Sequence, residues 1–333
     1  MTLAAVLEAP QTPVVVKAVE VPEPAAGEVR IKMEACGICH SDLFVAGLAR
    51  PPLIPLILGH EGIGRVETVG AGVAGLAAGD RVGITFLAGT CGICEWCRSG
   101  RERYCPQQRN SGYSVHGALA VYACVPAQHL IRVPDDLPAA AAAPLCCAGW
   151  TAYGAVREAQ LGPDQTIALF GMGGLGHLAV QYARHRGLRV AAVDVAEEKL
   201  ALARSLGAAI TLPAGEAARR LQKEYGGAGA AVVFAPSAAA IDEAFRSLKR
   251  TGTLVLVALV NDRFPLPIVD AVLKGITVRG SFLGTRQDLE EVFRLAQSGV
   301  VRAEAHTHAL DAVPGLFAKM ERGELMGRAV IGF

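Results

Sequence analysis

The sequence predicts an α/β protein in two parts, a β-rich domain followed by a doubly wound parallel sheet. Three observations carry this. Residues 1–150 hold short apolar or alternating runs, punctuated by Gly, Pro and Asp roughly every eight to twelve residues, the rhythm of an all-β barrel or sandwich. From 151 onward, strand-like and helical stretches alternate, which predicts parallel strands joined by helices. The length of 333 residues accommodates two domains at roughly 150 residues each and a core that needs no disulfides.

The β-rich part contains VRIKMEA (29–35), GRVETVG (64–70) and DRVGITF (80–86), each of strand length. The AAAAAP stretch at 139–144 reads as a helix start, not a tether. Then TIALF, a glycine turn, HLAVQYARHRG, LRVAAVDV and AEEKLALARSLGA read as strand, turn, helix, strand, helix. AAVVFAP, GTLVLVALV and ITVRGSFLG follow as strands, DLEEVFRLAQSG as an amphipathic helix, and GRAVIGF as a last short strand. The expected division is 1–150 with 291–333 as one domain and 151–290 as the other. The segment 265–285, read as strand-rich, offers an edge for pairing between subunits.

Composition excludes several classes. Hydrophobic residues are 52% and charged residues 19%, which excludes a disordered chain. Lys plus Arg number 32 against 31 for Asp plus Glu, so no basic footprint for nucleic acid or an anionic membrane is expected. No apolar run reaches the roughly 18 residues of a membrane span, and the N-terminus lacks the pattern of a signal peptide. A soluble, cytoplasmic protein is the expectation.

The nine cysteines then belong to a reducing compartment, and their clustering points to metal or redox chemistry. Cys91, Cys94, Cys97 and Cys105 form C-x₂-C-x₂-C-x₇-C around polar or small residues, with too little apolar mass to fold a lobe unaided. A closed, structural Cys₄ zinc fits. An iron–sulfur cluster is a rival because Pro106 follows Cys105, but the seven-residue spacing departs from the ferredoxin pattern. Unmetallated thiols are a third reading. Cys124 reads as a small buried hydrophobe.

Gly171-Met172-Gly173-Gly174-Leu175-Gly176 follows a strand and opens a helix, and Asp194 ends the next strand, 18 residues past Gly176. That context makes G-x-G-x-x-G a dinucleotide fingerprint: glycines for the turn and for close approach to pyrophosphate, the helix N-terminus for the phosphates, Asp194 for the ribose hydroxyls. A merely structural glycine turn is the bland alternative. Elsewhere, Cys36 and Cys39 have the spacing of a redox pair and His60 that of a core histidine.

The motifs GICHSD, GHEGIGRVETVG, the four-cysteine lobe, NSGYSVHG, CAGWTAY, GMGGLG, VDVAEEKLALA and GRAVI together change those odds. Across its length the chain resembles the zinc-dependent medium-chain alcohol dehydrogenases, closest to bacterial NAD-dependent enzymes for primary alcohols. The resemblance implies a GroES-like β-rich catalytic domain plus a Rossmann domain, two zinc ions per chain, and NAD. It implies a catalytic zinc on Cys39, His60 and Cys147, the Cys₂His set of the family, with an open fourth position. Cys36 and Cys146 become packing residues. Glu61 matches a glutamate behind the zinc that can ligate it, and Asp42 a carboxylate that orients His60. Ser41 matches the residue that takes the alcohol's proton. His40 matches a position against the pyrophosphate, Thr151 and Arg328 positions near the nicotinamide and pyrophosphate, and Lys199 a lysine at the adenosine ribose.

The chain departs from the family where a relay histidine stands: it has Phe44, and the stretch from Phe44 to Gly59 is shortened. Phe86, Phe282 and Leu283 are expected to line an apolar pocket. The expected activity is reversible hydride transfer between a hydrophobic primary or secondary alcohol and NAD⁺, giving aldehyde or ketone. Alternatives are a medium-chain dehydrogenase for an aromatic (cinnamyl or benzyl) alcohol or a polyol, and a non-catalytic NADH-binding zinc protein. A homo-oligomer is implied, a tetramer before a dimer.

Overall fold

In the N-terminal half, side chains that alternate between buried and exposed build antiparallel strands with one face on a core. The structure, a computed structural model, describes residues 1–260 and 262–333. Its chain divides into two compact units, Met1–Ala148 with Thr285–Phe333, and Gly149–Gly284.

The first unit is organised by one long strand, Glu28–Gly37. Val29, Ile31, Met33 and Ala35 point into the core, and register shifts near Arg30/Ile31 and Met33/Ala35 bend the strand. Glu61–Val69 pairs along one side of it, from Val29↔Val69 to Gly37↔Glu61. On its other side Tyr122–Pro126 pairs with the first half and Arg328–Gly332 with the second, Gly37 lying opposite Val330. Arg81–Ile84, Ile131–Arg132 and Ala305–His308 complete a seven-stranded sheet. A three-stranded sheet of Val15–Val19, Thr2–Leu7 and Leu56–Ile57 shares the core, in which Leu7, Ile31, Leu56, Leu58 and Ile331 are fully buried.

The second unit has six parallel strands in the order Ile210–Pro213, Arg189–Asp194, Thr166–Phe170, Ala228–Val233, Leu248–Leu256, Thr277–Gly280. By chain position this is 3-2-1-4-5-6, the dinucleotide-binding order, with the reversal of direction beside Thr166–Phe170. Its inner strands are near-continuous apolar runs (Ala228–Val233 is buried at every position) because helices cover both faces.

Several expectations are corrected. Residues 268–274 of the strand-rich segment form a helix, Ile268–Lys274, opened after Pro267 and closed by Gly275 in the left-handed conformation at φ 63°. Only Thr277–Gly280 is a strand, at the sheet edge. The β-branched residues misled because Ile268, Val269, Val272 and Leu273 are exposed, so no burial pattern marks the helix. The compact units divide at 148/149 and 284/285, where 150/151 and 290/291 are the expected domain limits. The second shifts because Thr285 caps the helix Arg286–Gln297, its hydroxyl accepting from the Asp288 amide, and so travels with that helix. Strand Ala305–His308 and helix Val313–Glu321 had no sequence counterpart. Cys124 is half-buried, its thiol donating to the Pro22 carbonyl. No single helix among the described residues is long and apolar enough to cross a membrane.

Candidate active site and metal centres

Two clusters of potential ligands form within the first unit. Cys39, the residue before helix His40–Ala46, His60, Glu61 and Cys147 are all buried, with one donor atom from each within 4.8 Å of the others. Local structure dictates each position. Cys147 sits in the break between the 3₁₀ turn Ala143–Cys146 and the helix Ala148–Glu158. Gly59 adopts φ 96°, turning the chain so that His60 and Glu61 enter the site at the start of strand Glu61–Val69.

Asp42, 1% exposed, ties these segments together. Its Oδ2 accepts from the Cys39 amide at 2.9 Å, and its Oδ1 accepts from the Gly59 amide at 3.2 Å. The same Oδ1 lies 3.1 Å from His60 Nδ1. His60 therefore offers Nε2 to the cluster, and that atom is buried with no hydrogen-bond partner. A buried, unpartnered imidazole nitrogen beside two thiols is what a metal ligand looks like without its ion. The Cys39 and Cys147 sulfurs are 4.0 Å apart, close to the ~3.8 Å set by a tetrahedral zinc with Zn–S bonds of ~2.3 Å. Hydrogen bonding between the two holds the Cys39 thiol well below its ordinary pKa and Cys147 well above. The donor set fits zinc.

Glu61 is fully buried, and both of its carboxylate oxygens accept from Arg328 Nη2, at 2.5 and 2.6 Å. Burial pushes the Glu61 carboxyl up to about 7 against the pull of the Arg328 charge. Arg328, expected near the pyrophosphate, is 5% exposed, and its Nη2 meets Glu61 because strand Arg328–Gly332 carries it inward. Ser41 Oγ lies 3.7 Å from the Cys39 sulfur, and the Phe86 ring packs edge-on to His60 with centroids 5.3 Å apart. His40 is exposed, as is Phe44 on the same helix. Cys36 and Cys146 are fully buried and lie outside the ligand cluster.

Cys91, Cys94, Cys97 and Cys105 form the second cluster, its donors again within 4.8 Å. The closest sulfur pairs are Cys94–Cys97 at 3.5 Å, Cys91–Cys105 at 3.6 Å and Cys91–Cys97 at 3.9 Å, which also bracket the tetrahedral edge. Four thiols are the composition of a closed, structural zinc site. Sequence reading missed its anchor: the Gln128 side chain accepts from the Thr90 amide and donates to the Thr90 carbonyl, and His129 Nε2 lies 3.0 Å from Thr90 Oγ1. Glutamine next to histidine carries no motif that would have revealed it.

The glycine loop, in the second unit, links strand Thr166–Phe170 to helix Gly176–His185. Gly171 has φ 95°, and a Cβ at Gly176 would overlap the Gly171 carbonyl, so both must be glycine. A Cβ at Gly173 would meet only open space, the cradle a pyrophosphate requires. Gly174 completes the turn into the helix. Asp194 Oδ2 accepts from the Met172 amide at 2.6 Å and Oδ1 from Ala196 at 3.0 Å, fixing the carboxylate beside the loop. Lys199 is half-buried on helix Glu197–Ser205, and Thr151 is buried on helix Ala148–Glu158. Leu283 is 3% exposed and packs its backbone on Gly154, while Phe282 is half-buried.

Residues 25–135 match the family model described as alcohol dehydrogenase GroES-like domain, and 174–298 match zinc-binding dehydrogenase. An alcohol dehydrogenase of Geobacillus stearothermophilus is 44% identical over 332 residues, covering 98% of each chain. The chain belongs to the zinc-type medium-chain alcohol dehydrogenase family. The β-rich unit is thus GroES-like and the parallel-sheet unit Rossmann-like, and the two donor clusters of this family member match two zinc ions per chain. Among solved structures, the alcohol dehydrogenase of the archaeon Aeropyrum pernix aligns with a TM-score of 0.93 at 33% identity, covering 99% of this chain and all of that one. Acetophenone reductase from Geotrichum candidum, solved in complex with NAD, aligns at 0.86 and 29% identity, covering 100% and 97%.

Proposed function

We propose that this protein is an NAD-dependent, cytoplasmic alcohol dehydrogenase that oxidises a hydrophobic primary or secondary alcohol reversibly to an aldehyde or ketone. The observation that carries the reading is the buried Cys39–His60–Cys147 cluster, with His60 Nε2 unpartnered and Ser41 beside Cys39. When bound there, zinc supplies a Lewis acid that makes a neighbouring hydroxyl far more acidic. When bound at the glycine loop, NAD supplies the hydride acceptor. The protein's own groups do the rest. Asp42 keeps His60 in the tautomer whose Nε2 faces inward. Ser41 Oγ takes the hydroxyl proton as it passes its own to the cofactor ribose, and with Phe44 in place of a relay histidine that proton leaves through ordered water, through the exposed His40 or directly from the ribose. Phe86 forms an apolar wall next to His60, and Phe282 and Leu283 are read as further pocket residues.

His40 and Thr151 are assigned to the cofactor, with Gly171, Gly173, Gly174 and Gly176 cradling its pyrophosphate and Asp194 and Lys199 its adenosine ribose. Asp194 sets the choice between cofactors. A 2′-phosphate would meet the carboxylate, and neither Val195 nor Ala196 supplies a positive charge to relieve it. A panel of aliphatic, aromatic and polyol substrates followed by reduced-cofactor absorbance tests both points. Turnover of apolar alcohols should appear, with kcat/KM for NAD⁺ exceeding that for NADP⁺ by about a hundredfold or more, several kcal/mol of like-charge penalty. Comparable values for the two cofactors would refute the Asp194 assignment, and no turnover on any alcohol would refute the activity.

A homo-oligomer, with a tetramer favoured over a dimer, is supported by the exposed apolar face of helix Ile268–Lys274, where Ile268, Val269, Val272 and Leu273 are 67–72% exposed beside the edge strand Thr277–Gly280. A patch of this kind is what an association surface presents. Light scattering at micromolar concentration should give a multiple of 34.7 kDa, and Val272→Glu should shift it toward the monomer. A monomeric mass for the unaltered protein would rule association out.

A further inference from the structure

Glu61 and Arg328 stand on the two strands that flank the central strand Glu28–Gly37, and they meet across a position that has no side chain. Glu61 pairs with Gly37 from one side, and Val330, two residues after Arg328, pairs with Gly37 from the other. A Cβ at Gly37 would overlap the Glu61 carboxylate, so the glycine is the gap through which the two side chains join. Both side chains are buried, at 0% and 5% exposure, and one nitrogen, Arg328 Nη2, spans both carboxylate oxygens at 2.5 and 2.6 Å. Yet Glu61 also has an oxygen within 4.8 Å of the donor atoms of Cys39, His60 and Cys147.

These facts set up a competition. A buried carboxylate must find a positive partner. Within reach of Glu61 there are two, the Arg328 guanidinium and whatever cation Cys39, His60 and Cys147 hold. Two thiolates and a neutral imidazole already balance a divalent ion, and Glu61 with Arg328 balance each other, so the two groups are separately neutral only while the ion pair stands. We propose that Arg328 is the positioning residue that keeps Glu61 off the metal, and thereby keeps the fourth coordination position of the Cys39–His60–Cys147 site open. Without the guanidinium, Glu61 turns to the metal and the site becomes closed, as the four-cysteine site is by composition. Arg328 touches no reacting atom in this role. It decides whether the metal has room for a further ligand.

The inference rests on the zinc assignment above, and the test separates the two. Cobalt(II) is exchanged for zinc, metal content is counted, and imidazole, a small exogenous ligand, is titrated while the cobalt visible spectrum is followed. Only a site with an open position responds. In the unaltered protein imidazole should shift the spectrum. In Arg328→Met the starting spectrum should already differ, and the imidazole response should weaken at least about tenfold, the lower end of what partners of ligands contribute. In the double variant Arg328→Met with Glu61→Gln, which removes the competing carboxylate, the response should return. Competition with a chelator adds a readout that needs no spectrum: Arg328→Met should hold the site's metal tighter than the double variant does. If Arg328→Met responds to imidazole as the unaltered protein does, or the double variant fails to recover while carrying its full metal, the proposal is overturned. If Arg328→Met does not fold, Arg328→Lys, which retains the charge, must keep the imidazole response, and its loss overturns the proposal equally. A protein that takes up one metal per chain and none at Cys39, His60 and Cys147 overturns the zinc assignment itself, and this inference with it.

Discussion

Serine at position 147 should end turnover and leave the fold standing, whereas serine at position 97 should do nearly the reverse. Cys147 is proposed as one of three protein ligands at a site with an open position, and its hydroxyl replacement is a poor partner for zinc. The segments around it are held independently of any metal: Ala142, Ala143, Leu145 and Ala148 are at most 1% exposed, and Asp42 fixes Cys39 and Gly59 by hydrogen bonds. Loss of the ion there should lower kcat beyond about a thousandfold, a scale appropriate to a missing electrophile, with little change in Tm. The four-cysteine lobe has no comparable core. Cys91, Cys94 and Cys97 are half-exposed, only Arg103 and Cys105 are buried between 91 and 105, and a contact such as Arg101 over Trp96 at 4.7 Å lies at the surface. Metal binding there is folding energy, so Cys97→Ser should lower Tm by several degrees or leave the protein insoluble. Calorimetry, zinc content and steady-state rates on both variants decide the matter. Both should retain one zinc per chain. A Cys97→Ser protein that lost activity while melting like the parent would show that the lobe is not structural.

Asp42→Ala should strip the catalytic metal without touching a ligand. The carboxylate serves three donors, the amides of Cys39 and Gly59 and Nδ1 of His60, from a position 1% exposed. Alanine leaves all of them buried and unsatisfied at ~1–3 kcal/mol each, partly relieved by local movement. Two of the three ligand segments then lose their shared anchor, and His60 is free to change tautomer. Zinc affinity at this site should fall by about 10–100-fold and turnover with it. Asp42→Asn should be nearly as harmful, because its amide group presents N–H to a neighbour that is itself a donor. Dialysis against a graded chelator followed by metal analysis measures the effect. Retention of zinc at the parent's level in Asp42→Ala would mean that the anchor is dispensable.

What the sequence made legible was local. The Cys₄ spacing, the glycine loop with Asp194, and the strands at 29–35, 166–170 and 189–194 each depend on residues close in the chain, so pattern and chemistry could be read together. The clustering of Cys39, His60 and Cys147 became readable only through resemblance, since nothing about a histidine at 60 announces which cysteines it will meet. The pairing of Glu61 with Arg328 spans 267 residues and carries no periodicity. Gly37, at which the two meet, lies beyond the run 29–35 that the sequence marks as a strand, so the close approach there went unread. The helix at 268–274 was misread because its apolar residues face outward, and strand Ala305–His308, AHTH, has no apolar alternation to detect.

The first unit is assembled from both ends of the chain, and this has a consequence for how it is made. On the ribosome the contiguous stretch Gly149–Gly284 is complete before Thr285 is added, and its six parallel strands lack no partner. The GroES-like unit at that moment has its cysteines and His60, but one flank of Glu28–Gly37 is bare opposite Cys36 and Gly37, and Glu61 lies uncovered by Arg328. At ~5–20 residues per second the missing strand follows within seconds to ten seconds. During that interval Cys39, His60, Glu61 and Cys147 have all been synthesised while Arg328 has not. On the role proposed for Arg328, metal capture and sheet closure would compete during synthesis, and the closing strand, Arg328–Gly332, would be the step that draws Glu61 away from the other three donors.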